Sequence, residues 1–385
     1  MFVTDTENLE IDRPLRFDLT TIDGRLLATA GTPVTQKDKS DWLLQGIHRV
    51  CSYIEADFSE RPEHLRPYDP AIVRRLEARI QQASESVEEH SELIRRNEPA
   101  ESKKLHQLAE DMLTDLDLDV AAALAAALGE HADSISDRDR AVAKRCSRMS
   151  LLSMAIGTEL GLSDDDRQTI GVAGLLHDIS LLTVTNEAVA KVAGTFPFQH
   201  EFLDHPLASS HLLESILGID KKICIAVAQV HEQPNGGGFP RCLPSHRIMF
   251  LSKILAVVDA YLTLTSKSQP KPLPEACNLQ PCDCVAYLIH NAKNGRFDTL
   301  AIKGLVKSLS LYPIGSLIEL SNGSKAVVLR SNSEEPSQPI VRVDDSSFSI
   351  IDLRRASVKI VRPLTRNATT KNRLSKSALE NVLFR

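Results

Sequence analysis

The segment GVAGLLHDI, residues 171–179, ends an apolar run in an imidazole beside a carboxylate, His177 and Asp178. Neighbouring residues on a helix point about 100° apart, so a helix end is where both can reach one cation. Taken alone, such a pair is more often a cap or a surface pair. Three later features change that balance. His205 opens the run HPLASSHLL. His231-Glu232 closes the apolar run Ile223–Val230 and precedes Asn235-Gly236-Gly237-Gly238-Phe239-Pro240. Asp259 lies inside the apolar run ILAVVDAY. A carboxylate there costs several kcal/mol unless it is paired or bound to metal, so Asp259 requires a partner. Histidine and carboxylate ligands together suit Mn, Fe or Zn.

The seven cysteines are odd in number and scattered, which does not make a disulfide framework. Cys277, Cys282 and Cys284 give one C-x-C and an outlier, short of the paired spacing of zinc sites. Free thiols are expected.

The elements that must position these residues are mostly helical. In this chain of 385 residues, 42% are hydrophobic and 25% charged, which fits two or three globular domains. The net charge of −6 and an aromatic content of 4% argue against a nucleic-acid polymer as partner. No apolar stretch is long enough for a membrane span, and the N-terminus has no signal-peptide core, so the expected location is cytoplasmic. Residues 1–60 read as a small α+β module, with strands at Leu15–Leu19, Arg25–Thr29 and Ile47–Ile54, a turn at Asp23-Gly24 and a helix from Thr35 to Gln45 carrying Trp42. Residues 61–117 read as a helical linker, with helices from Pro70 to about Arg96 and from Leu105 to Leu116; its simplest role is to cover the next domain.

Residues 118–310 carry successive helical patterns: Asp119–Leu128, Asp139–Leu160, one capped by Ser163 and running to Leu176, His205–Leu217, Lys221–Gln229, His246–Thr265, Cys282–Ala292 and Asp298–Leu309. In residues 311–362 the period falls to 2, with strands at Ser316–Leu320, Lys325–Arg330, Pro339–Val343 and Val358–Val361. Residues 363–385 form a basic tail. The fold class is mainly α: a helical bundle with a small N-terminal α+β module and a small C-terminal β-barrel-like domain.

The ordered runs LGLS, GLLHDI, HPLASSHLL, QVHEQPNGGGFP and ILAVVDAY resemble the HD-GYP branch of the HD phosphohydrolases over about residues 118–310. The resemblance implies an HD-type helical fold, two or three Fe or Mn ions, and kinship with bacterial cyclic di-GMP phosphodiesterases. It places metal-ligand roles on His177, Asp178, His205, His231 and Asp259, with His177 and Asp178 at the catalytic centre. It places substrate contacts on Asn235, Gly236, Gly238, Phe239 and Pro240. The segments 15–55 and 312–363 resemble modules that flank some members.

The departures are specific. An earlier ligand histidine of the pattern is Arg145 here, and the acidic ligand one turn before it is Ala141. The paired histidines are Val230-His231, the glycine and lysine after the HD motif are Ser180 and Leu181, the Asp of the glycine-rich run is Asn235, GYP is Gly238-Phe239-Pro240, and a second helical Asp is Leu262. Five of eight ligand positions of the resembled pattern are kept. Arg145 sets a fixed positive charge where a cation would sit, and Asp178 or Asp259 is its expected partner. His131 and His211 are the available substitute ligands. The sequence therefore favours a degenerate HD-GYP-type signalling protein that binds a cyclic dinucleotide or a signalling protein, with divalent metal weak or absent. The alternatives are an active metal-dependent phosphodiesterase and a ligand-free interaction scaffold. Oligomeric state is left open.

Overall fold

The computed structural model describes residues 2–9, 11, 19–21, 26–28, 33–52, 69–98, 101–128, 137–183, 203–215, 217–266, 279–332, 334–344 and 349–364. The chain divides into two compact units, Met1–Arg66 and Pro67–Arg385. Several expectations fall outside the described residues: most of the first strand at Leu15–Leu19, the Asp23-Gly24 turn, His131, Cys277, residues 61–68 and the tail from 365.

In the first unit, β1 (Phe2–Asp5), β2 (Leu19–Thr21), β3 (Leu26–Ala28) and β4 (Arg49–Ser52) form an antiparallel sheet in the order β1-β4-β2-β3. Helix α1 (Gln36–Leu44) starts in a capping box: the Thr35 hydroxyl accepts from the Asp38 N–H, and the Asp38 carboxylate accepts from the Thr35 N–H. Trp42 joins Leu19, Val34 and Val50 in this unit's core.

The second unit is built around one helix. α2 (Pro70–Arg95), α3 (Lys103–Leu118) and α4 (Val120–Leu128) pack with α5 (Arg138–Glu159) and α6 (Asp164–Leu176) into one continuous apolar core. The short α7 (Ile179–Thr183), α8 (His205–Ser215), α9 (Lys221–Ala228), α10 (Phe250–Thr265), α11 (Pro281–Lys293) and α12 (Thr299–Leu309) complete it. α5 is buried on nearly every face from Val142 to Gly157, which is why small residues (Ala143, Ser147, Ser150, Ser153, Ala155) alternate with large ones along it. The helix expected from His246 is split. A 3-10 turn at Ser245–Arg247 precedes α10, and between them the Met249 N–H donates to the Gln229 side chain at 2.7 Å rather than to a helical carbonyl.

After α12, β5 (Leu317–Leu320), β6 (Lys325–Arg330), β7 (Ile340–Val343), β8 (Ile350–Asp352) and β9 (Ile360–Pro363) pair antiparallel in the order β8-β7-β6-β5-β9. Ile318, Leu320, Ala326, Val328, Val341, Val343 and Leu353 form a separate small core beneath this sheet. β8 is a strand the period-2 reading did not pick out; it is only three residues long.

The contact that sets the position of the HD pair is between α5 and α6. A Cβ on Gly174 would lie 2.7 Å from Ser150 Cα and 2.8 Å from Ser150 N, so the two helices meet backbone to backbone there, one turn before His177. A Cβ on Gly171 would instead meet the flexible end of Met154, at 2.6 Å from Sδ. Gly174→Ala is therefore expected to destabilise the fold by roughly 1–3 kcal/mol through overpacking. Gly171→Ala should be near neutral, because Met154 can move and alanine favours the helix. Urea midpoints of the two variants check this; equal midpoints would contradict the close approach.

Candidate functional site

His177 caps the C-terminal end of α6, and Asp178 follows in the bend before α7. Both are buried, at 0% and 2% exposure. His177 Nδ1 lies 2.9 Å from the Gly174 carbonyl. A carbonyl only accepts, so Nδ1 carries the hydrogen and Nε2 is the nitrogen left to bind something else. Nε2 faces Asp178 Oδ2 at 3.0 Å. Two acceptors at that separation require a positive charge between them, a proton or a metal cation. Burial alone would lower the His177 pKa, but the charges of Asp178 and Cys146 outweigh it and raise it well above the ordinary value. Burial works to raise the Asp178 carboxyl, and His177 and His205 beside it hold it well below the usual range. Nε2 of His177 and Oδ1 of Asp178 make no hydrogen bond of acceptable geometry.

His205 begins α8, and its Nε2 lies 3.4 Å from Asp178 Oδ1 and 3.1 Å from His231 Nε2. Serine at the expected glycine position has a structural use. Ser180 Oγ donates to the His205 carbonyl at 3.0 Å and accepts from Ser209 Oγ at 2.8 Å, tying α7 to α8. His231 follows α9. Burial is the main cause that lowers its pKa, to about 4, and His205 and His177 add to it while Asp259 opposes. His231 is thus neutral at neutral pH and offers a lone pair. Asp178, His205 and His231 bring ligand atoms within 4.8 Å of one another, as do Cys146, His177 and Asp178. Imidazole and carboxylate atoms converging in this way fit a divalent metal.

Asp259 is engaged differently. Arg145 of α5 donates to its Oδ1, to its backbone carbonyl at 3.2 Å and to Thr263 Oγ1 at 2.9 Å. The Asp259 side chain is 16% exposed and the Arg145 side chain 9%. Asp259 Oδ2 is 3.8 Å from His231 Nδ1, so it borders the cluster while its other oxygen is taken by the guanidinium. The pairing expected of Arg145 is made with Asp259. His211, the other substitute ligand considered, is exposed on α8 and belongs to neither convergent group.

The glycine-rich loop closes over the histidines. Phe239 stacks on His231, with ring centroids 4.7 Å apart and planes at 20°, and meets His205 edge-on at 6.2 Å. The Phe239 N–H donates to the His231 carbonyl at 3.1 Å. A Cβ on Gly238 would lie 2.2 Å from Gln233 N, so glycine is required for this fold-back. Gly236 has φ of +77°, where glycine is favoured. Asn235 is exposed, and its Oδ1 accepts from the Gly237 N–H. The peptide bond before Pro240 is cis.

Two residues here were not singled out from the sequence. Glu232 is 1% exposed, and its two oxygens accept from the backbone N–H groups of Arg241 and Leu243 at 2.7 and 2.8 Å, fastening the loop. Its place beside His231 was the available signal. Cys146, the neighbour of Arg145, is the cysteine that reaches the cluster; among the described residues Cys282 and Cys284 belong to neither convergent group.

Residues 130–300 match the model of the HD domain family. Over this stretch the chain is similar to HD domains. The chain is 29% identical to the cyclic di-GMP phosphodiesterase PA4108 of Pseudomonas aeruginosa, over 53% of this chain and 50% of that one. It is 23% identical to the cyclic di-GMP phosphodiesterase PdeB of Borreliella burgdorferi, over 54% and 53%, and 25% identical to 3'3'-cGAMP-specific phosphodiesterase 1 of Vibrio cholerae, over 43% and 37%. The chain spans about half the length of the first two. In shape, 79% of it aligns with 97% of Bd1817, a HDG"Y"P protein from Bdellovibrio bacteriovorus, at a TM-score of 0.45 and 16% identity. The HD family is metal-dependent, which agrees with the donor set described above. Among the described residues, no helix is long and apolar enough to cross a membrane.

The Arg145–Asp259 contact makes a prediction about stability. Removing either side chain alone strands a mostly buried charge. A double-mutant cycle of Arg145→Ala and Asp259→Ala is expected to show coupling of roughly 1–3 kcal/mol, the double variant being more stable than the two single losses added together. Additive losses in urea unfolding would mean that the pair does not act as a unit.

Proposed function

We propose that this chain is a degenerate HD-GYP-type protein of cyclic-dinucleotide signalling, which binds cyclic di-GMP at its HD site and hydrolyses it weakly or not at all. The observation that carries this reading is the guanidinium of Arg145 on Asp259. It occupies a carboxylate that the HD-GYP pattern gives to metal, and brings a fixed positive charge to the edge of the cluster.

Asp178, His205 and His231 would hold an iron or manganese ion, with His177 beside Asp178. Such an ion lowers the pKa of a bound water and stabilises charge on a phosphodiester. The chain's own groups do the rest. Gly174 fixes the His177 tautomer through its carbonyl. Phe239, held against His231, presents an apolar face to whatever enters beside the histidines. Leu181, buried at the position of the pattern's lysine, offers no cation to a phosphate. Binding with little turnover follows from a site that keeps shape and part of its ligands but not the full charge set. Residues 1–60 and 311–362 act, on this reading, as separate flanking modules, joined to the 118–310 domain on one side by the 61–117 helices.

The second reading, an active phosphodiesterase with an altered site, is favoured by the convergence of Asp178, His205 and His231. The two separate in one experiment. The purified chain, supplied in turn with Mn and Fe, is titrated with cyclic di-GMP by calorimetry and assayed for hydrolysis by chromatography. The expected result is saturable binding with negligible turnover. Arg145→His is expected to raise metal content, measured by mass spectrometry, while Leu181, Ala141 and Val230 keep turnover low. Robust hydrolysis with two metals per chain would replace this reading by the second.

A further inference from the structure

We propose that Cys146 is a metal ligand, and that with His177 and Asp178 it gives this chain a site for a thiophilic divalent cation of the zinc class. The inference shares His177 and Asp178 with the reading above but depends on no nucleotide.

Three observations carry it. The thiol of Cys146, a ring nitrogen of His177 and a carboxylate oxygen of Asp178 all lie within 4.8 Å of one another. Ligands bound at ~2.0–2.3 Å around one tetrahedral ion sit at such separations. Next, the group is buried and unsatisfied: Cys146 and His177 are 0% exposed and Asp178 2%, and Nε2 of His177 and Oδ1 of Asp178 make no acceptable hydrogen bond. His177 Nδ1 is already committed to the Gly174 carbonyl, so it is Nε2 that is free to ligate.

The third observation is charge. Arg145 and Asp259 neutralise each other, which removes one anion from the ligand set. A thiolate on the next residue restores it. Cys146 thiolate, Asp178 carboxylate and neutral His177 carry a total of −2, which one divalent cation cancels. The thiol proton and the proton held between His177 Nε2 and Asp178 both leave to solvent as the metal enters, and no redox change is involved. A sulfur ligand selects against Mn and Mg and for zinc and cobalt. The other chemistry open to a Cys-His-Asp group, nucleophilic attack, needs a thiol that a substrate can reach. Cys146 has no exposed surface, which excludes that use in this conformation.

The test uses the full chain, stripped of metal and titrated with Co(II), then with Zn(II). One cobalt per chain should bind with the near-ultraviolet sulfur-to-cobalt charge-transfer band, and zinc should displace it. Cys146→Ser should abolish the band and weaken zinc binding at least on the order of tenfold, the lower end of what even an outer-partner loss costs a metal site. Cys242→Ser, at an exposed thiol, should leave both unchanged. Should Cys146→Ser fail to fold, X-ray absorption at the zinc edge of the wild-type chain decides, by the presence of one sulfur neighbour. Cobalt bound without the band, or a band that survives Cys146→Ser, overturns the inference and leaves cyclic di-GMP binding standing. Loss of nucleotide binding with the band intact does the reverse.

Discussion

Asp259 sits in an apolar helix, and such a carboxylate persists only beside an opposite charge. Arg145 supplies it, reaching from α5 to α10 and adding bonds to the Asp259 carbonyl and to Thr263. Much of the site's arrangement depends on this contact. It joins the helix before the HD pair to the helix after the glycine-rich loop. With one Asp259 oxygen taken, the other borders His231. The rest of the unmatched negative charge is then concentrated on Asp178, which touches both His177 and His205. All three bonds come from one terminal nitrogen of the guanidinium, Nη2, whose positive charge is fixed.

The positions of the histidines are fixed by backbone contacts more than by their own sequence neighbours. His177 is aimed by a carbonyl one turn back, at the glycine where α5 and α6 touch. His205 is aimed through its own carbonyl, held by Ser180. His231 lies under Phe239, whose loop is fastened by Glu232. Each histidine is therefore set by a second residue outside the cluster. Outer contacts of this kind govern metal affinity as strongly as they govern orientation.

How much of this was legible in the sequence follows from the range of each interaction. Caps are local, so Thr35 and Ser163 announced their helices, and each does cap one. The partner of Arg145 could be narrowed to two carboxylates because the resembled pattern sets Arg145 at a ligand position beside them. Cys146 was invisible for a related reason. On a helix with one solvent face, residues 145 and 146 would not both point inward. α5 is buried nearly all round, and only the packing of its neighbouring helices makes both Arg145 and Cys146 site residues. The three-residue β8 gave too short an alternation to register, and the helix expected from His246 broke because a glutamine distant in sequence captured the Met249 N–H.

The helices that read as a linker reach the site by a direct route. Arg95 ends α2, and its guanidinium bonds both Asp139 of α5 and the carbonyl of Leu182 in α7. Arg138 takes the carbonyl of Leu181 beside it. Two cations thus hold the C-terminal end of the short helix that follows Asp178, where a helix end carries partial negative charge. α7 has only five residues and little stability of its own. Its position, and with it the main chain of the HD pair, is set by groups from α2 and α5 as well as by Ser209 of α8. A shift at the end of α2 would move carbonyls that lie three and four residues from Asp178. Spatial continuity alone does not make a signal. Here the connection is one specific group, the Arg95 guanidinium on Asp139 and on the Leu182 carbonyl, so α2 bears on the geometry of the HD pair as well as covering the core.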